Sequence, residues 1–142
     1  MKTINQFRGE YAFLSNFYFS PLEYEDEFYA TAEHAFQASK TRDEAQRRII
    51  RKAKTPGEAK RLGRTVDLRP EWDDVKLSIM RDIVFAKFGQ SERLKQMLLE
   101  TGDAKLVEDN KEYWGMRNNV GQNHLGKILM EVRKTLKERE DV

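Results

Sequence analysis

From Thr31 onward, apolar residues recur every three or four positions, and capping residues cut that pattern into separate blocks. Such a period lays one face of a helix on a core, so most of this chain is committed to helices. Trp72, Val75, Ile79, Ile83 and Ala86 share one face of a helix expected from Pro70 or Glu71 to Gly89. Leu125, Ile128, Leu129, Val132 and Leu136 form the stripe of a last helix starting near Asn123. Thr31 caps a helix expected to reach about Lys40, Asp43 caps one through Lys54, and Ser91 starts one that stops at Gly102. In "TPGEAKRLG", Thr55 is an N-cap, Pro56 takes the first helical position, Glu58 completes a capping box and Gly63 stops the helix. The first thirty residues read as irregular or β-like, with a small hairpin in "LEYEDEFY", Leu22 to Tyr29. The expected fold is mainly α: a single multihelical domain over residues 1–142 with a small N-terminal β element.

A chain of 142 residues can bury a core without covalent staples. It has no cysteine, which excludes a disulfide scaffold, a thiolate metal site and a cysteine nucleophile. Its 26 Lys and Arg against 24 Asp and Glu give a net charge of +2, which does not imply whole-chain affinity for nucleic acid. The densest basic run, Arg47, Arg48, Arg51, Lys52 and Lys54, reads as a solvated helix face. The opening "MKTINQFRGE" has no apolar signal core and no apolar run nears membrane-spanning length, so a cytoplasmic protein is expected. Glycine-rich dinucleotide and phosphate-loop motifs are absent. His34 and His124 stand far apart without the spacing of a zinc helix, and Ser15 and Ser39 lack nucleophile-elbow glycines. Neither a metal nor a cofactor is expected.

Three stretches concentrate chemistry. In "YATAEHAFQASK", Glu33, Phe36, Gln37 and Lys40 fall at i, i+3, i+4 and i+7, on one helix face. The span from Glu33 to Lys40 rises roughly 10 Å, enough to flank a small ligand. Glu33 in the first turn can serve as a general base or stabilise a cation, and Lys40 can hold a phosphate or, desolvated, attack a sugar carbon. The plainer reading packs Ala32, Ala35 and Phe36 and leaves Glu33 and Lys40 in water. In "FLSNF", Asn16 between aromatics can read a base or ribose, or satisfy its own turn. In "EDNKEYWGMRNNVG", Trp114 is either a stacking surface or core filler, and Glu108, Asp109 and Glu112 supply carboxylates. Gly121 to Asn123 leads into a helix N-terminus, a natural anion site. Planar base, ribose and phosphate together describe a nucleotide-like small molecule.

These residues carry a resemblance. "FLSNF", "AEHAFQASK", "PGEAKRLGR", "WDDVKLSIM", "AKF", "LLETGDAKLVE", "YWG" and "GQNHLGKILMEVR", in this order from Phe7 to Leu136, resemble the YbiA-like or NADAR (NAD and ADP-ribose) superfamily of N-glycosidases. The resemblance implies a mostly α-helical domain that hydrolyses a C–N glycosidic bond. Its substrate would be a phosphoribosylamino-pyrimidine of riboflavin synthesis, giving ribose 5-phosphate, or an ADP-ribosylated guanine base, the one way nucleic acid would enter. The matching positions are Asn16, Glu33, Lys40, Trp72 and Trp114. The family's aspartate three residues before the loop tryptophan is Lys111 here, with Glu112 one step later and Asp109 earlier. Either Glu112 takes its place or the activity is altered. On this reading Glu33 and one of Asp109 and Glu112 act on sugar and water, Trp114 and Phe17 sandwich the base, and Asn16 reads a base edge or hydroxyl. Lys40 binds phosphate or attacks C1, and Arg8, Lys87 and Asn123 are further phosphate candidates. The rival is a module that binds ADP-ribose or a nucleotide without hydrolysing it.

Overall fold

The structure is a computed structural model and describes residues 2–141. In chain order the elements are β1 (Thr3–Ile4), a 3-10 turn (Gly9–Leu14), β2 (Leu22–Tyr24), β3 (Glu27–Tyr29), α1 (Ala32–Ala38), α2 (Glu44–Arg51) and α3 (Pro56–Gly63). They continue with α4 (Trp72–Gln90), α5 (Glu92–Glu100), β4 (Lys105–Leu106) and α6 (His124–Glu140). The fold is mainly α, as expected. No helix among the described residues is long and apolar enough to cross a membrane. Contacts gather the chain into two compact units, residues 16–87, and residues 1–15 with 88–142.

In the unit of residues 16–87, β2 and β3 pair antiparallel, Leu22 opposite Tyr29, Glu23 opposite Phe28 and Tyr24 opposite Glu27. Glu25 and Asp26 turn the hairpin at φ 50° and 68°. Left-handed pairs of this kind match the twist of a two-residue hairpin. The register buries Leu22 and Tyr29 and leaves Phe28 exposed. Helix α1 starts as its sequence requires, with the Thr31 hydroxyl accepting from the amide of His34 at 3.1 Å. It ends two residues earlier than its pattern suggested. Ser39 Oγ donates back to the Ala35 carbonyl at 2.8 Å, and the amides of Lys40 and Thr41 bond three residues back, tightening the chain out of the helix. Helix α2 also stops early, at Arg51, because the chain turns to offer the Ala53 carbonyl to His34 Nε2 at 3.0 Å. Helix α3 has the expected cap, Thr55 accepting from the Glu58 amide at 3.0 Å.

Every residue of α1 is buried, polar ones included, because α2, α3 and β3 all pack on it. A solvated edge for this helix is therefore excluded. His34 is a structural residue. Its Nδ1 meets the Thr31 hydroxyl at 2.8 Å and its Nε2 the Ala53 carbonyl, so both ring nitrogens are engaged. Of the basic run, Arg48, Lys52 and Lys54 are exposed, while Arg51 pairs with Glu27 at 3.4 Å.

In the other unit, β1 and β4 form a short parallel ladder, Thr3 opposite Lys105 and Ile4 opposite Leu106. Nothing in the sequence period signalled these two-residue strands or the 3-10 turn. Helices α5 and α6 pack through Leu94 and Leu98 on one side and the stripe from Leu125 to Leu136 on the other. Phe13 meets Phe88 edge-on at 6.4 Å.

Candidate active site

Within residues 16–87 the fold brings Asn16, Glu33 and Lys40 together. The amide of Glu33 donates to the Asn16 carbonyl at 3.0 Å, which fastens the "FLSNF" segment to the first turn of α1. The Asn16 side chain is buried and its Nδ2 lies 3.4 Å from Met80 Sδ. Glu33 is 7% exposed, and its Oε2 accepts from Gln37 Nε2 at 2.6 Å. Burial raises the Glu33 carboxyl above its usual value, opposed by the Gln37 hydrogen bond and the charges of Lys60, Lys40 and His34. Lys40 lies just past the end of α1 and is half-buried. Burial lowers its amine below the usual value; Glu33 raises it again, and Arg64 and Lys60 push it further down. A buried acid held partly back from ionising, beside an amine held partly back from protonating, is the kind of pair that proton transfer uses.

Lys87 is the most buried cation of this unit, 2% exposed. Burial pushes its amine down to about 7. Its Nζ stands 5.7 Å from the centroid of the Tyr18 ring. Trp72 is not placed as an open stacking surface. It is buried and tilted against Phe36, with centroids 5.1 Å apart and planes at 54°, so the ring shapes the α1–α4 packing. Phe17 is 44% exposed and presents a ring to solvent.

In the other unit, the loop between β4 and α6 is fastened by its own backbone. Met116 N donates to the Glu108 carbonyl at 2.8 Å, Asn123 N to Gly115 O at 2.9 Å, His124 N to Tyr113 O at 3.2 Å and Leu125 N to Trp114 O at 3.0 Å. The Tyr113 and Trp114 carbonyls thus take the first two amides of α6, which reduces what this helix start offers an anion. The Asn123 side chain is equally engaged: buried, at φ 51°, it donates from Nδ2 to Leu106 O at 3.0 Å and accepts at Oδ1 from Glu108 N at 3.1 Å. Asn123 thus latches the loop to the end of β4.

Asp109 accepts from Arg117 Nε at 2.8 Å, and Arg8 Nη2 lies 3.7 Å from its other oxygen. Arg8 keeps 73% of its side chain exposed in this pair. Glu112 is exposed, and among the described residues its carboxylate enters no ion pair or hydrogen bond. Trp114 is half-buried and edge-on to Tyr113 at 4.9 Å, with Tyr113 in turn 4.2 Å from the His124 ring.

Sequence reasoning missed Lys60 and Arg64, whose charges act on Glu33 and Lys40, and Tyr18 beside Lys87. Lys60 on α3 and Arg64 at its C-cap are spaced i, i+4, a signal that they share a side, though not which helix they meet.

The NADAR domain family matches residues 4–137. The chain is 42% identical over 132 residues to the N-glycosidase YbiA of Shigella flexneri serotype 5b, covering 89% of this chain and 82% of that one. It is 35% identical over 133 residues to a riboflavin biosynthesis protein of Vibrio vulnificus, covering 90% of this chain and 36% of that longer protein. The NMR structure of the Escherichia coli protein YbiA superimposes with a TM-score of 0.86 at 40% identity, over 99% of this chain and 89% of that one. The chain belongs to the NADAR domain family.

Proposed function

We propose that this protein hydrolyses the C–N glycosidic bond of a phosphoribosylamino-pyrimidine or a related ADP-ribosyl compound, releasing ribose 5-phosphate or ADP-ribose. That it is a hydrolase of N-glycosyl compounds follows from N-glycosidases 42% identical over most of the chain. The finer substrate is supported by the riboflavin biosynthesis relative, of which the chain spans about a third. The observation that carries the reading is Glu33: a buried carboxylate with one oxygen fixed by Gln37, in the field of Lys40 and Lys60.

Cleaving this bond builds positive charge on the sugar and negative charge on the departing base nitrogen. A carboxylate in a water-poor site stabilises the sugar cation more strongly than one in bulk water. Glu33 takes that role and guides water to C1; as the C1–N bond breaks, the proton that the water loses ends on the leaving nitrogen. The second carboxylate is assigned to Glu112, because Asp109 is already held by two arginines. Trp114 and Phe17 are assigned to ring stacking and Asn16 to a base edge or hydroxyl. Lys40 binds the phosphate or, after ring opening, attacks C1 through Nζ and expels the pyrimidine amine, giving a Schiff base that water then hydrolyses.

Purified protein mixed with a phosphoribosylamino-pyrimidine is expected to release ribose 5-phosphate, read by a coupled sugar-phosphate assay. Binding without release would leave the protein a nucleotide-binding module. Borohydride separates the two roles of Lys40, because Lys40→Arg keeps the charge but loses the nucleophilic amine. A trapped sugar adduct that disappears in Lys40→Arg assigns the attack to Lys40. An adduct that survives there and disappears in Lys87→Met assigns it to Lys87.

A further inference from the structure

Gln37 is wedged between Glu33 and Gly63. Its Nε2 donates to Glu33 Oε2 at 2.6 Å, while its Oε1 is buried without a hydrogen-bond partner. That oxygen lies over the bare Cα of Gly63. A Cβ at residue 63 would stand 1.9 Å from Oε1, 2.8 Å from Cδ and 3.2 Å from Cβ of Gln37. Gly63 ends a regular helix, so the contact requires its missing side chain and not any special backbone freedom. Gly63 ends α3, as expected, and has a packing role besides.

An unpaired buried acceptor destabilises a fold, and an apolar side chain of similar size would fill the same space without that penalty. The arrangement is therefore explained at the other end of the amide. Among the described residues, the side-chain bond to the Glu33 carboxylate falls on Oε2 and none on Oε1. One oxygen of the carboxylate is tied by the amide.

We propose that Gln37 is a positioning residue: backed by Gly63, its amide ties Glu33 Oε2 and leaves Oε1 aimed at the sugar of the substrate. This rests on the assignment of Glu33 to the glycosidic chemistry. The same hydrogen bond favours the ionised carboxylate, against burial. The other charges acting on Glu33 are Lys60 from α3, and Lys40 and His34 from its own segment. Arg47 and Arg51 of α2 and Glu27 of β3 act on the hairpin residue Tyr29.

The test uses the whole chain with Gly63→Ala, Gln37→Ala and the double variant. Three quantities are followed: the Glu33 carboxyl titration by carbon-detected NMR, the melting temperature, and the pH profile of hydrolysis. In Gly63→Ala the new methyl drives the amide off, so Glu33 titrates at higher pH than in the parent and the acid limb of kcat moves up with it. On that limb kcat falls roughly 10-fold, the scale of a hydrogen bond to a charged group, with KM little changed. Gln37→Ala gives the same shift. The double variant has room for the methyl, so its melting temperature rises above that of Gly63→Ala while the titration stays displaced. If Gly63→Ala melts lower but Glu33 titrates as in the parent, Gln37 only fills space and the proposal falls. If the titration moves in all three variants and the hydrolysis profile does not, Gln37 does tie Glu33, and it is the catalytic assignment of Glu33 that fails.

Discussion

Glu33→Gln is expected to lower the hydrolytic rate by roughly 10²–10⁴-fold, the range for removing a positioned acid–base group. The change is nearly isosteric, and the new amide oxygen can still accept from Gln37 Nε2. The loss therefore reports the negative charge and not the packing. The stability of the variant is an independent check. Burial lifts the Glu33 carboxyl above its ordinary value of 4.5, so the folded chain binds a proton that the unfolded chain releases between those two values. Stability contributed by this group is present at lower pH and is lost as pH rises through that window. A glutamine has nothing to ionise, so Glu33→Gln is expected to melt at or above the parent temperature at pH 7. A variant that melts normally and hydrolyses at the parent rate would remove Glu33 from the mechanism.

Asn123→Ala is expected to lower stability by roughly 3 kcal/mol in urea unfolding. Alanine leaves the Leu106 carbonyl and the Glu108 amide without their partner, and it must adopt φ 51° without the tolerance asparagine has for that region. No neighbour can close the gap. Gly126 lies so near that a Cβ there would be 2.4 Å from the Asn123 amide and 2.1 Å from Leu106 O. If Asn123→Ala instead kept full stability and raised KM for a phosphorylated substrate, the phosphate role would be supported.

What was legible in the sequence was what local rules decide. The caps at Thr31, Asp43, Thr55 and Ser91 all hold their helices through side-chain bonds to the amide three residues on. The apolar stripe of α6 is buried along its length. Tertiary bonds set what could not be read. Helix α2 ends where His34 claims a carbonyl, and no period in residues 44–54 announces that. Parallel pairing of β1 with β4 involves two residues per strand, too few for alternation to register. At the candidate site the face of Glu33, Gln37 and Lys40 was visible from spacing, but its burial was not, because three packed elements decide it. The latch made by Asn123 could not be read, because an asparagine before a helix looks alike whether it offers its amide to a ligand or to its own loop.

The β1–β4 ladder also fixes an order of events. Thr3 and Ile4 pair with Lys105 and Leu106, about a hundred residues later in the chain. At a synthesis rate of about 5–20 residues per second, the N-terminal segment waits roughly 5–20 s for its partner strand. Until residues 88 onward are made, Ile4, Phe7, Phe13 and Leu14, all buried in the finished fold, lack the remainder of their unit. Residues 16–87 form a compact unit from one continuous stretch and face no such delay. The newborn chain is thus most open to aggregation or proteolysis at its first fifteen residues, and arrested nascent chains of increasing length would show protease protection of residues 16–87 before that of the N-terminus.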